Sequence, residues 1–181
     1  RCAAPRDEAT LRTSLARALE IADGPSVVRY PKGALPAALP AQRTVAAGDI
    51  LCDDVSPQIV IVAIGAIAPA ALEAARILQE SGHRVQVIDP VWVLPVADDL
   101  IAHVADVPLV VTVEDGLRAG GIGEGITAGL QRCGSQAQVL NVGIPKEFLD
   151  QAPRARLLAR LGLDGPGIAA AIAARLAPID R

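Results

Sequence analysis

Apolar and polar positions follow two regimes that change near residue 57. Before it, Leu11, Leu15, Ala18 and Leu19 recur at helical spacing between Glu8 and Ile21, with Arg12 and Arg17 outside the stripe. Asp7 stands where an N-cap belongs, and Asp23, Gly24 and Pro25 stop the pattern. Ser26 to Tyr30 reads as a short strand, ended by Pro31 because proline has no amide hydrogen to give a neighbour. One helix and one strand cannot bury two faces, so this segment is expected to lean on a sheet whose other strands lie elsewhere. Residues 34–57 hold Pro36, Pro40, Gly48, Asp49, Asp53 and Asp54 without sustained period, which predicts a connector with a short strand near Thr44 to Ala46.

After residue 57 strands and helices alternate. Aliphatic runs predict strands at Ile59 to Ile64, Arg84 to Ile88, Leu109 to Glu114 and Gln138 to Val142. Between and after them the spacing predicts helices at Pro69 to Ser81, Val96 to Ala105, Gly120 to Cys133, Arg154 to Leu161 and Gly165 to Leu176. Short strands apolar on both faces and separated by helices make an α/β fold, a mostly parallel sheet sandwiched by helices.

Composition narrows the function classes. Hydrophobic residues make up 51% of the 181 positions, yet Phe, Trp and Tyr occur once each, so the core must be built from Ala, Val, Leu and Ile. A net charge of −3 without a basic cluster, and almost no aromatic surface for bases to stack on, argue against nucleic acid. The longest apolar stretch, Ile59 to Leu72, is interrupted by Gly65 and Pro69 and falls short of the ~20 residues of a bilayer span, so no membrane partner is expected. Cys2, Cys52 and Cys133 are dispersed and read as buried or incidental thiols of a cytoplasmic protein. The chain has no methionine and opens on Arg1, which leads us to expect a piece of something longer.

Few residues carry candidate chemistry. Gly120-Gly121-Ile122-Gly123-Glu124-Gly125 follows a strand and opens a helix, but Ile126 stands where a dinucleotide fingerprint needs its third glycine, and no carboxylate ends the next strand. The loop is therefore either an anion site or a means of seating the helix close to the sheet. Glu114 and Asp115 are adjacent on an extended segment and point to opposite faces, which suits hydrogen bonding to the glycine loop or across an interface better than paired acid–base work. Asp89 before Pro90 reads as a turn cap, and His83 and His103 have no partner by spacing. Arg29 in Arg29-Tyr30-Pro31-Lys32-Gly33 differs: a strand that turns outward places its guanidinium at a sheet rim, either to grip a phosphate or carboxylate or to close an internal salt bridge.

Ala3-Ala4-Pro5-Arg6-Asp7-Glu8 and Asp23 to Gly33 resemble the end of the pyrimidine-binding domain of the 1-deoxy-D-xylulose-5-phosphate synthase family. Val62 to Gly65, Val87 to Pro95, Thr112 to Asp115 with Gly120 to Gly123, Leu140 to Pro145, Glu147-Phe148 and Leu161 to Asp164 are similar to that family's transketolase-type C-terminal domain, most of all in actinobacterial members. The resemblance implies residues 1–33 as a remnant of the pyrimidine-binding domain, 34–57 as a linker and 58–181 as the transketolase C-terminal domain. It also implies a thiamine diphosphate- and Mg2+-dependent transferase that joins pyruvate to glyceraldehyde 3-phosphate, works as a cytoplasmic homodimer and feeds isoprenoid, thiamine and pyridoxal synthesis. Arg29 would then bind the acceptor phosphate, with Lys32 adding field. Ile122 and Glu124 depart from the family's glycine loop, and Gln151 to Arg156 lacks its acidic residues, a difference read as one of surface only. The magnesium and cofactor motifs belong to N-terminal domains, so residues 1–181 alone are expected to bind no cofactor and to be inactive. Two rivals remain: a metabolite-sensing or assembly module using Gly120 to Gly125, and the terminal domain of another thiamine enzyme such as a 2-oxoacid dehydrogenase β subunit.

Overall fold

The computed structural model describes residues 1–33 and 36–177, so Ala34 and Leu35 of the predicted connector and the last four residues lie outside the described residues. The main sheet has six strands. Four run parallel at its heart and far edge: β5 (Ile59–Ile64), β6 (Val85–Asp89), β8 (Leu109–Leu117) and β9 (Gln138–Ile144). A hairpin of β3 (Arg43–Val45) and β4 (Gly48–Cys52) joins antiparallel to β6, giving the order β3-β4-β6-β5-β8-β9.

Period-two alternation sends side chains of the central strands into two cores. Ile59, Ile61, Ala63, Val111 and Val113 pack on one face against α2 (Ala68–Glu80) and α6 (Gly165–Leu176). The alanines Ala68, Ala71, Ala74 and Ala75 line the buried side of α2, so the helix sits close to the sheet without bulky side chains. Val60, Val62, Ile64 and Val110 face the other way, toward α3 (Asp98–Val104), α4 (Ile122–Arg132) and Ala4. The small-residue composition is thereby used on both faces. The stretch Arg154–Leu176 has 23 residues and the mean hydropathy, 1.3, of a bilayer span. The chain folds it instead as α5 (Arg154–Arg160) and α6, broken where Gly162 takes φ +68°, and neither helix is long enough to cross a membrane.

The N-terminal segment differs from expectation in its partners. Its helix α1 (Glu8–Glu20) starts as the pattern predicts: Asp7 accepts from Thr10 N at 2.9 Å and the Thr10 hydroxyl oxygen accepts in return from Asp7 N at 3.1 Å. Its strand is shorter, β2 (Val27–Val28), and pairs with a two-residue β1 (Cys2–Ala3). β1 in turn pairs antiparallel with β7 (Trp92–Leu94), which lies where the pattern predicts only the approach to a helix. Among the described residues, the strands that pair with this segment come from Cys2–Ala3 and from Trp92–Leu94 of the same chain.

β3 is the short strand expected near Thr44 to Ala46, but the connector reading of 34–57 needs correction, since β3 and β4 both belong to the sheet. Ile50 and Leu51 are buried there, but Gly48, Asp49 and Asp53 flank them, and two apolar residues make no period that sequence reasoning can detect.

A buried ion cluster fastens the two parts together. Arg6, 4% exposed, donates through Nη1 to Asp49 Oδ2 at 2.8 Å and Asp89 Oδ2 at 2.9 Å, and through Nε to the Leu39 carbonyl at 2.9 Å. Asp89 caps its turn as expected, accepting from Val91 N at 2.9 Å, and is wholly buried as well. That bond helps hold Val91 at φ +56°, a conformation costly to a β-branched residue, while the Val91 carbonyl accepts from Ala4 N at 2.8 Å. Burial pushes the Asp89 carboxyl up to about 6, opposed by its bonds to Arg6 and Val91. Arg6 is raised: burial opposes its charge, but one cation facing Asp89 and Asp49 gains more from them than it loses.

Candidate functional site

The carboxyl ends of β5 and β8 open onto a cleft of about 290 Å³, lined by Ala4, Arg29, Tyr30, Ile64, Gly65 and Asp115 among others. Parallel strands leave their last residues unroofed at this end, which is where open α/β sheets gather ligands. The chain after β2 delivers Arg29: its amide donates to the Ala3 carbonyl at 2.8 Å, so the residue extends the β1–β2 ladder before Pro31 turns outward. The guanidinium is 37% exposed and donates through Nη2 to Asp115 Oδ1 at 2.6 Å. The internal salt bridge, one of the two sequence readings of Arg29, is therefore made, and it stands at the mouth of a cleft. Lys32 is exposed and makes no ion pair among the described residues.

Glu114 and Asp115 point apart, as their adjacency requires. Glu114 is buried, and its Oε1 accepts from Gly123 N at 3.1 Å in the first turn of α4. Asp115 faces the cleft and accepts from two guanidiniums, Arg29 on Oδ1 and Arg154 on Oδ2. Arg154 is missing from the sequence reading, which took its surroundings as a change of surface only. Nothing near Arg154 announces its role, because the partner carboxylate lies 39 positions earlier and the two meet only in the folded chain.

The glycine loop proves to be packed. Gly123 N is taken by Glu114 and Gly120 N by Glu124 Oε2 at 2.9 Å, so the chain's own carboxylates occupy amides an anion would use. A Cβ on Gly121 would overlap the Leu117 carbonyl, and one on Gly123 would overlap Thr112 Oγ1. The glycines let α4 approach β8 and β9, the structural alternative of the two weighed.

The remaining candidates fall elsewhere. His103 Nε2 lies 2.7 Å from Gln86 Oε1, whose amide reaches Asp53, itself paired with Arg43. Burial and the Arg43 charge lower the His103 pKa, and the group serves the sheet edge. Cys2, Cys52 and Cys133 are free thiols. Among the described residues no three His, Cys, Asp or Glu side chains stand close enough to hold a metal ion. We assign no cofactor step to these residues.

Known proteins resemble this chain in sequence and in fold. Over 180 residues, 96% of the chain is 44% identical to "1-deoxy-D-xylulose-5-phosphate synthase 2" of Kitasatospora griseola, covering 28% of that protein. Over 166 residues, 90% of the chain is 45% identical to "1-deoxy-D-xylulose-5-phosphate synthase" of Rhodococcus erythropolis, covering 26% of it. The chain thus spans little more than a quarter of these relatives. Among solved structures, "Split gene transketolase, inactive beta4 tetramer" superposes with TM-score 0.77 at 26% identity, over 97% of this chain and 56% of that one. A transketolase of Pichia stipitis shares the fold at TM-score 0.74 and 17% identity, over 96% of this chain and 24% of that one. Residues 48–168 match the family model for "Transketolase, C-terminal domain", and with the parallel sheet and its strand-end cleft described above, the chain belongs to the transketolase C-terminal domain family.

Proposed function

We propose that this chain is the C-terminal part of a 1-deoxy-D-xylulose-5-phosphate synthase, in which Arg29 holds the phosphate of glyceraldehyde 3-phosphate. The reading rests on the 44% identity over 96% of the chain to a protein of that name. In this role thiamine diphosphate, held with Mg2+ by upstream domains, supplies the decarboxylation of pyruvate and the carbon–carbon bond-forming chemistry. The chain's own contribution is positional. Arg29 gives the acceptor a charged anchor, its approach to the cleft fixed by backbone pairing with Ala3 and by Asp115. Glu114 holds the start of α4 against β8 and so keeps the cleft wall in place. Residues 1–33 then belong to the pyrimidine-binding domain, the hairpin of β3 and β4 belongs with the last domain, and the whole works as a cytoplasmic homodimer.

The test is Arg29→Ala in the full-length protein. Losing a charged hydrogen bond costs roughly 1.5 to 3 kcal/mol, so KM for glyceraldehyde 3-phosphate should rise about tenfold or more. Decarboxylation of pyruvate should continue. An unchanged acceptor KM would remove Arg29 from the site, and turnover with a lipoamide carrier in place of the aldehyde would point to a 2-oxoacid dehydrogenase instead. The isolated chain, titrated with thiamine diphosphate and Mg2+ in a calorimeter, should give no heat of binding.

A further inference from the structure

The strand-end cleft contains a second guanidinium, and its position has a chemical consequence. Asp115 spends one oxygen on Arg29 and the other on Arg154, and those are the only hydrogen bonds of both guanidiniums among the described residues. Each guanidinium carries five N–H donors in a planar fork, so most donors of both remain for an incoming acceptor. Both are accessible, with Arg29 37% and Arg154 44% exposed, against 13% for the carboxylate between them.

The charge balance points to an anion. Among the groups that line the opening, two guanidiniums face the single carboxylate of Asp115, an excess of one positive charge, while Glu114 is buried outside the lining with its Oε1 turned to the first turn of α4. A ligand carboxylate would offer two oxygens and duplicate what Asp115 already supplies. A phosphate monoester offers three terminal oxygens, enough for each guanidinium to take its own while both keep hold of Asp115.

We propose that Arg154 is a second ligand for the phosphate monoester of the acceptor, with Asp115 as the tether that keeps the two guanidiniums convergent. The inference rests on the function proposed for Arg29 and extends it to a residue of the last domain. Arg154 thereby makes α5 part of the acceptor subsite and sets the preference for phosphorylated over neutral aldehydes.

The experiment compares kcat/KM for glyceraldehyde 3-phosphate and for unphosphorylated D-glyceraldehyde in the full-length protein, across Arg29→Ala, Arg154→Ala, Arg154→Lys and Arg156→Ala. Arg154→Ala should lower the ratio of the two constants about tenfold, mainly through KM for the phosphorylated substrate. Arg154→Lys should recover part of the loss, because it keeps a point charge and gives up the fork. Arg156, exposed on the same helix, should leave the ratio unchanged when replaced by alanine. A ratio that falls in Arg29→Ala but not in Arg154→Ala overturns the inference and leaves the function standing. A ratio that moves in neither overturns the phosphate reading of the whole cleft. Where Arg154→Ala fails to fold, Arg154→Gln carries the same comparison.

Discussion

Replacing Arg6 by methionine removes the one cation between two carboxylates and keeps most of the side-chain volume. Three hydrogen bonds go with it, to Asp49, Asp89 and the Leu39 carbonyl. Breaking a buried pair on one side costs about 3 to 5 kcal/mol, because the charge left behind has no water to turn to. Asp89 can escape part of that cost by taking a proton, which makes the loss depend on pH. In the native protein its carboxyl titrates at about 6, against 3.8 for the ordinary group. The folded state therefore holds the extra proton between those values, and this group's contribution to stability is complete below the lower one and lost as pH rises through the upper. At pH 5 Asp89 is already mostly protonated, so the missing cation matters less. By pH 8 the native carboxylate has been ionised with Arg6 beside it, whereas the variant must either keep the proton or bury a bare charge. Two pH units above the native pKa correspond to about 2.7 kcal/mol, and the variant should be more strongly destabilised at pH 8 than at pH 5 by about that amount. Urea unfolding followed by the fluorescence of Trp92, the single tryptophan, measures both. The double variant Arg6→Met/Asp89→Asn should regain more than half of the loss at pH 8. Equal destabilisation at the two pH values, or a loss below about 1 kcal/mol at pH 8, would refute the reasoning.

Two smaller perturbations test the frame around the site. Asp7→Ala removes the cap of α1 and the acceptor for Leu39 N at 2.8 Å, and should cost about 1 to 2 kcal/mol in the same urea assay. Burial opposes the Asp7 charge, but its bonds to Thr10 and Leu39 outweigh it and lower the pKa, so this stabilisation is present above the ordinary carboxylate range and fades as pH falls through the lowered value. Gly123→Ala drives a methyl group into Thr112 Oγ1 and Asn141 Oδ1 on the sheet, and should destabilise by about 1 to 3 kcal/mol. Gly24→Ala, with nothing within 4 Å of its added methyl, serves as the comparison.

What could be read from the chain alone was whatever repeats along it. The aliphatic run of β5 and the alanine stripe of α2 declare themselves by period, and both stand within a residue or so of where the pattern puts them. The Asp7 cap was legible because a helix start has local chemistry. β2 showed itself only as part of the longer run Ser26 to Tyr30, whereas β1 and β7, of two and three residues, exist through their pairing with each other and with β2, so no local signal marks them. β4 hides for a different reason: its burial comes from β3 on one side and β6 on the other, partners that only the folded sheet supplies. Arg29 could be placed at a rim because Pro31 fixes where its strand turns out. Arg154 and Arg6 could not, since the carboxylates that define them lie far along the chain.

The same contacts decide how the cleft is held. Arg29 is fastened at its backbone to Ala3, and the next residue, Ala4, is fastened to Val91, whose own amide is held by Asp89. Asp89 is the carboxylate that Arg6 grips. A continuous path of hydrogen bonds and covalent chain thus runs from the buried ion cluster to the guanidinium at the strand ends. On the other side, Asp115 on β8 accepts from the same guanidinium and is itself held by Arg154 on α5. Arg29 is therefore positioned by two parts of the molecule at once, and its place depends on the N-terminal segment staying docked to the sheet. The costly elements gathered at that junction, a wholly buried carboxylate and a valine at positive φ, have in this dependence a physical reason to be there.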